Sequence, residues 1–279
     1  HLGKPNPLAT REKTAAAEDR LFARIADYES QKDRRRSFRL LRYAAAVLAA
    51  VLLVGGGLFA YLRQSVEILT VAALDGVKKV TLPDRSTVWL NKGAAIRYAD
   101  HFDGDERKVE LEGEALFHVT KNPEKPFIVS SEGAAAKVLG TTFNFNAKGR
   151  GKASVISLIE GRLEVTGLDG QGKVVLHPNQ KATVSRDLKV IKTENTYAPV
   201  DAVWRDNMIP FSNMRVREIA RILEQLYGCR ITVAPRLDNG KTYTGVIKKS
   251  KDIRNVLDGL SYTVSFHYTV DGKEIALSE

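Results

Sequence analysis

A single cysteine, Cys229, among 279 residues excludes an intrachain disulfide, so the stability of this chain has to come from burial. Histidine is scarce too: His1, His101, His118, His177 and His267 include no two at metal-ligand spacing, and no zinc cluster or Cys/His dyad is written in the sequence. Gly-x-Ser-x-Gly, a phosphate-binding Gly-rich loop ending in Lys-Ser/Thr, and His-Glu-x-x-His are all missing, which removes the common hydrolase, nucleotidase and metalloprotease signatures. No cofactor is expected. The absence that matters most is local: from Tyr43 to Leu62 not one residue is charged.

Twenty uncharged residues in a helix span about 30 Å, the thickness of a bilayer's hydrocarbon core. A soluble helix of that length keeps a polar stripe, whereas this stretch is apolar all round except for its terminal tyrosines. More than forty residues precede it and no Ala-x-Ala site follows, so a cleaved signal peptide does not fit. Lys32, Arg34, Arg35, Arg36, Arg39 and Arg42 stand before the span and only Arg63 stands close after it. By the positive-inside rule, residues 1–42 are expected in the cytoplasm and 63–279 outside, in a bacterium the periplasm. The small residues of the span, Ala44–Ala46, Ala49, Ala50 and Gly55–Gly57, would admit a second helix or local unwinding.

The net charge of +10 invites a nucleic-acid reading, but 11 Lys and Arg against 6 Asp and Glu in residues 1–42 account for half of it. The remainder is spread without the basic clusters that track a phosphate backbone, which argues against direct nucleic-acid binding. Within the arm, Ala17, Leu21, Ile25 and Tyr28, with Phe22 beside them, make one apolar stripe on a helix expected from about Thr14 to Ser30. Such a stripe meets either a partner or residues upstream. The first residue is His1 rather than Met, and the sequence is read as a piece of a longer product.

Residues 63–195 read as an all-β domain. Short runs rich in Val, Ile, Thr and Phe alternate with turns: Val77–Leu82, Pro83-Asp84-Arg85-Ser86, Thr87–Leu90, then Arg107–Glu112, Ala115–Val119, Phe127–Ser130, Val155–Ile159 and Arg162–Val165, with Gly113 and Gly161 as turn residues. Leu111-Glu112-Gly113 is echoed by Ile159-Glu160-Gly161, and Leu82-Pro83-Asp84 by His177-Pro178-Asn179, so stacked hairpins are expected, as a sandwich or a short solenoid.

Residues 196–279 change to a small α+β domain of order βαββαββ. Its first helix begins near Met214, with Ser212 or Asn213 as N-cap, carries Ile219, Ile222, Leu223 and Leu226 on one face, and ends at Gly228. Strands are expected at Cys229–Val233 and Thr242–Ile247, and a second helix from Ser250 or Lys251 to Leu260. Strands at Tyr262–Val270 and Glu274–Leu277 would join through a type I′ turn at Asp271-Gly272.

Two groups of residues have chemical character. Glu112 and Glu114 lie two apart and could share a strand face, although a structural role outweighs an acid/base pair. In Gly140-Thr141 a hydroxyl follows a residue with no side chain, so Thr141 could attack the Gly140 carbonyl in an N-to-O acyl shift. Without more information, a strand corner is the stronger reading of that dipeptide.

Val80–Asn91, Val109–Val119, Pro126–Val129, Val138–Asn144 and Glu160-Gly161 occur in an order that resembles the periplasmic domain of FecR-type anti-sigma factors. Ala202–Asp206, Phe211-Ser212-Asn213 and Leu226-Tyr227-Gly228 look like the tail domain of the Bacteroidota branch, similar to the short N-terminal fold of secretins and TonB-dependent transporters. The resemblance covers about residues 32–279. It implies a non-enzymatic, single-pass inner-membrane protein that holds an extracytoplasmic-function sigma factor inside. Outside, it would answer the signalling domain of a TonB-dependent outer-membrane transporter. Some members break at a Gly-Thr, matched here by Gly140-Thr141, before periplasmic and intramembrane proteases act. Two positions depart from the pattern: Arg85 replaces the usual glycine of Asp-Gly-Ser, and Asn207 follows Asp206 where Gly is common. The rival reading is a membrane-anchored glycan-binding or envelope-assembly protein on a β scaffold.

Overall fold

The structure is a computed structural model, and it describes residues 24, 42–59, 66–147, 153–167, 172–185 and 190–279. The stripe from Ala17 to Tyr28 and the basic residues Lys32 to Arg39 lie outside the described residues. Arg42 opens helix α1, Arg42–Phe59, which is long and apolar enough to cross a membrane and has none of its surface buried. The chain divides into two compact units, residues 1–65 and 66–279.

In the second unit, thirteen strands form one ladder that divides into two sheets at β5. Sheet A runs β1(Ile68–Ala72), β4(Ala95–Ala99), the first half of β5(Arg107–His118), β6(Phe127–Ser130), β7(Ala134–Val138), β10(Leu163–Gly167) and β11(Lys173–Leu176). Sheet B runs β2(Lys78–Thr81), β3(Thr87–Leu90), the second half of β5, β8(Thr142–Ala147), β9(Ser154–Glu160), β12(Gln180–Ser185) and β13(Val190–Asn195). The inward residues of both sheets, among them Ile96, Val109, Val129 and Leu163 from A and Phe117, Phe143 and Ile156 from B, form one hydrophobic cluster. Two sheets around one core make a sandwich, not a solenoid of repeats. The rings of Phe117 and Phe143 stack at 5.0 Å, and Phe117 meets Phe127 of the other sheet edge-on at 6.3 Å.

Gly113 does not end a strand, as its turn-like neighbours suggest; it bends one. At φ 83, a conformation that costs only glycine little, it marks the point where β5 leaves sheet A for sheet B. A Cβ there would stand 2.9 Å from the Ala94 Cα. Gly113→Val is therefore expected to lower stability by about 2–4 kcal/mol, and a chemical-denaturation midpoint within error of wild type would contradict this.

A 3₁₀ helix, Ala198–Arg205, not foreseen from the sequence, joins the sandwich to the C-terminal segment. It lies on the outer face of sheet B, where Trp89, Leu116, Asn144 and Ser157 stand in one cross-strand row. The Trp204 indole donates to Asn144 Oδ1 at 3.1 Å, Ser157 donates to Asp201, and the Arg205 guanidinium sits 5.3 Å from the Trp89 ring centre. This explains why Asn144 and Ser157, polar residues on an outward face, are buried.

Beyond the linker come β14(Met208–Met214), α2(Val216–Tyr227), β15(Arg230–Val233), β16(Tyr243–Lys248), α3(Ile253–Val264), β17(His267–Asp271) and β18(Glu274–Ser278). β14 pairs with β16, while β18 lies between β15, to which it is parallel, and β17. The helices pack Ile219, Ile222, Leu223, Leu257 and Leu260 into a second core with Ile209, Ile247 and Ile275. Ser212 and Asn213 belong to β14 and are not caps of α2; Glu218 closes that helix's first turn by accepting from the Arg215 N–H at 2.8 Å. Gly228, at φ 63, terminates it. Tyr262–Val264 are the last turn of α3 rather than the start of a strand, because Val264 continues the buried face of Val256, Leu257 and Leu260. The final hairpin turns one residue later than Asp271-Gly272. Gly272 and Lys273 form its loop, and only the first has positive φ, as in a type II′ turn.

Candidate functional site

The β7–β8 corner is set by what surrounds Gly140 rather than by the dipeptide itself. Leu139 and Thr141 are tied to the loop after β5: the Asn122 N–H donates to the Leu139 carbonyl at 2.7 Å and the Val119 N–H to the Thr141 carbonyl at 3.0 Å. These bonds press the loop onto Gly140, where a Cβ would lie 2.6 Å from the Lys121 Cα. No side chain fits. Gly140 has φ 155, at the margin of the region that L residues rarely adopt.

Thr141 is 5% exposed, and its hydroxyl donates to the Arg162 carbonyl at 3.1 Å. The turn that supplies that carbonyl follows an irregularity between β8 and β9, where Thr142 pairs with Glu160 but Phe143 with Leu158. Gly161, at φ 96, sits directly under the corner. A Cβ on it would meet Thr141 Oγ1 at 2.9 Å and the Gly140 oxygen at 3.0 Å. The hydroxyl and the carbonyl that an acyl shift would join are thus both packed over a second glycine. A cavity of about 340 Å³ borders the corner.

Other candidates separate. Glu112 is exposed, while Glu114 accepts from the side-chain amides of Asn91 and Asn144, both at 2.9 Å, so the two carboxylates do not act as a pair. His118 Nδ1 and Thr142 Oγ1 are 2.9 Å apart at the surface. The turn at Asp84-Arg85-Ser86 keeps the left-handed residue that glycine would supply, since Arg85 has φ 67. Asp84 accepts from Ser86 N and Oγ, and its Oδ2 receives the buried Arg107 guanidinium at 2.6 Å.

Sequence reading did not single out Arg107, Lys121 or Arg162, because what joins them to this corner is long-range. Gly161 was legible only through the Glu160-Gly161 block.

Comparison with known proteins bears on the same segments. The family model described as FecR protein matches residues 69–164, and that described as FecR, C-terminal, matches residues 208–277, together more than half of the chain. Two crystal structures of a proposed anti-sigma factor from Parabacteroides distasonis are similar to it. One is 30% identical and the other 29%, each covering 76% of this chain and 99% of that chain at a TM-score of 0.49. No curated protein matches the chain. With both family segments present in order over more than half of its length, the chain belongs to the FecR family.

Proposed function

We propose that this anti-sigma factor relays a signal from a TonB-dependent outer-membrane transporter to an extracytoplasmic-function sigma factor across the inner membrane, and so regulates transcription. The observation that carries the reading is the separation, by one apolar helix, of a short basic arm from a folded body that holds both FecR segments. The charges at Lys32, Arg34, Arg35, Arg36, Arg39 and Arg42 favour a cytoplasmic arm and a periplasmic body. The stripe Ala17, Leu21, Phe22, Ile25 and Tyr28 would form part of the sigma-binding surface. The body would take the transporter's signalling domain, and strand addition to an open sheet edge is one mode by which it could do so. Self-cleavage at Gly140-Thr141 would be a single-turnover event within the chain. It would precede periplasmic proteolysis and a cut within the membrane near Gly55–Gly57.

Deletion of residues 1–31 from the full-length gene, which leaves Lys32 to Arg42 to orient the span, tests the relay. Transcription from a sigma-dependent reporter is expected to lose its response to the transporter's substrate while the body still accumulates in the membrane fraction. A reporter that keeps its response without those residues would refute the reading.

A further inference from the structure

The cavity beside Gly140 has chemistry that the relay does not use. It lies at the edge of the outer face of sheet A, where the cross-strand row Lys137, Glu164 and Val175 is walled by the loop after β5 and by the β7–β8 corner. Its apolar surface comes from Pro123, Leu139 and Val175, and Leu139 is 44% exposed, high for a leucine anchored beside a core strand. Four charged side chains rim it along with Thr141. Two are neutralised locally: Lys137 faces Glu106 at 3.8 Å, and Glu164 pairs with Lys173 at 2.8 Å. The other two, Lys121 and Arg162, have no ion-pair partner among the described residues. The site therefore presents two uncompensated positive charges over an apolar surface.

We propose that this cavity binds a carboxylate attached to an apolar group, and specifically the C-terminal end of a peptide whose last side chain is aliphatic. The volume of about 340 Å³ is at the small end of ligand pockets and suits one or two residues rather than a folded partner. Arg162 offers a planar pair of donors and Lys121 a mobile ammonium, the combination that holds a carboxylate from two sides. The exposed Leu139, with Pro123 and Val175 beside it, covers the side chain. A neutral apolar ligand would leave both cations without a counter-charge, and a small inorganic anion would leave the leucine wet. The Gly140-Thr141 peptide forms part of the wall, but binding does not require that bond to be cut.

Isothermal titration of the full chain in lipid nanodiscs, made as Thr141→Ala so that the Gly140–Thr141 bond stays whole, tests this with three probes: N-acetyl-Ala-Leu as the free acid, the same dipeptide as its amide, and N-acetylleucine. The free acid is expected to bind with a dissociation constant on the order of 0.1–1 mM, and the amide about tenfold more weakly or worse. N-acetylleucine binding as tightly as the dipeptide would identify a small-molecule carboxylate rather than a peptide end and so overturn the peptide assignment. Lys121→Gln with Arg162→Gln removes only exposed charges, and should abolish the preference for acid over amide with the melting temperature unchanged. No saturable binding of the acid at 5 mM, about five times the weakest expected constant, or equal binding of acid and amide, would overturn the proposal. So would a preference for the acid that survives the double substitution.

Discussion

Replacing Arg107 with Ala is expected to destabilise the body by about 3–5 kcal/mol, the range for breaking one side of a buried ion pair. The residue is 1% exposed, yet it carries a full charge at the start of the strand that both sheets share. Its Nη1 donates to Asp84 Oδ2 at 2.6 Å and to the Thr120 carbonyl at 2.9 Å, and its Nε donates to the Lys125 carbonyl at 2.8 Å. The guanidinium also lies 5.3 Å from the Phe127 ring centre. One side chain thus joins the β2–β3 turn to the loop of residues 120–125. Without it the Asp84 carboxylate, whose side chain is only 12% exposed, loses its counter-charge, and two carbonyls lose a donor.

At about 2–4 °C per kcal/mol for a domain of this size, the melting temperature should fall by about 6–20 °C. Arg107→Lys keeps the charge but not the fork, so it should fall between the two. The double variant Arg107→Met with Asp84→Leu is expected to lose less than the two single substitutions added together, because no unpaired charge remains. A shift below about 2 °C for Arg107→Ala would mean that solvent already screens the pair. The same substitution should loosen Lys121, which stands on the anchored loop and presses on Gly140.

The second large effect is all-or-none. Wild-type protein is expected to accumulate as two pieces divided after Gly140, and Thr141→Ala as one intact chain. In the first step Thr141 Oγ1 bonds to the Gly140 carbonyl carbon, the Gly140–Thr141 C–N bond breaks, and the hydroxyl proton ends on the freed Thr141 amine, leaving an ester. In the second, water adds to the ester carbonyl and the C–O bond breaks. The products are the Gly140 carboxylate and a Thr141 with its hydroxyl restored. Two features of the corner bear on the first step: the hydroxyl donates to the Arg162 carbonyl at 3.1 Å, and the Lys121 backbone leaves room only for glycine at position 140.

Thr141→Ser should still cleave, since the nucleophile remains. Hydroxylamine should cut any chain in which the ester has formed but not hydrolysed. Immunoblots of both ends read the result directly, and an intact wild type would remove self-cleavage from the proposed function without touching the sigma relay.

Local pattern carried much of this fold. Thr87–Leu90 and Phe127–Ser130 are strands at the boundaries that alternation predicts, because residues that alternate between core and surface leave a period of two in the sequence. Ile219, Ile222 and Leu223 face a core from α2 for the equivalent reason at helical period. Errors arose where a local signal had two meanings. Glycine at 113 looks like a turn but is a bend inside a twelve-residue strand, since only the second sheet shows that the chain continues. Ser212 and Asn213 look like caps, but pairing with β16 holds them in β14. Tyr262 looks like a strand residue, yet it is 89% exposed on a helix whose inward face lies on other positions.

The sequence by itself determined the apolar span, the strand-rich middle, the α+β tail and the family, since each is written in composition, period or ordered motif. Only the tertiary structure decided that the middle is a sandwich sharing one strand and that a 3₁₀ linker covers a polar row of sheet B. It alone placed Lys121, Gly161 and Arg162 around Gly140-Thr141. Their separations along the chain are twenty residues or so, and nothing in a local pattern encodes which loops close on one another. That choice follows from burying two hydrophobic faces at once, which fixes the strand registers and with them the side chains that meet at the corner.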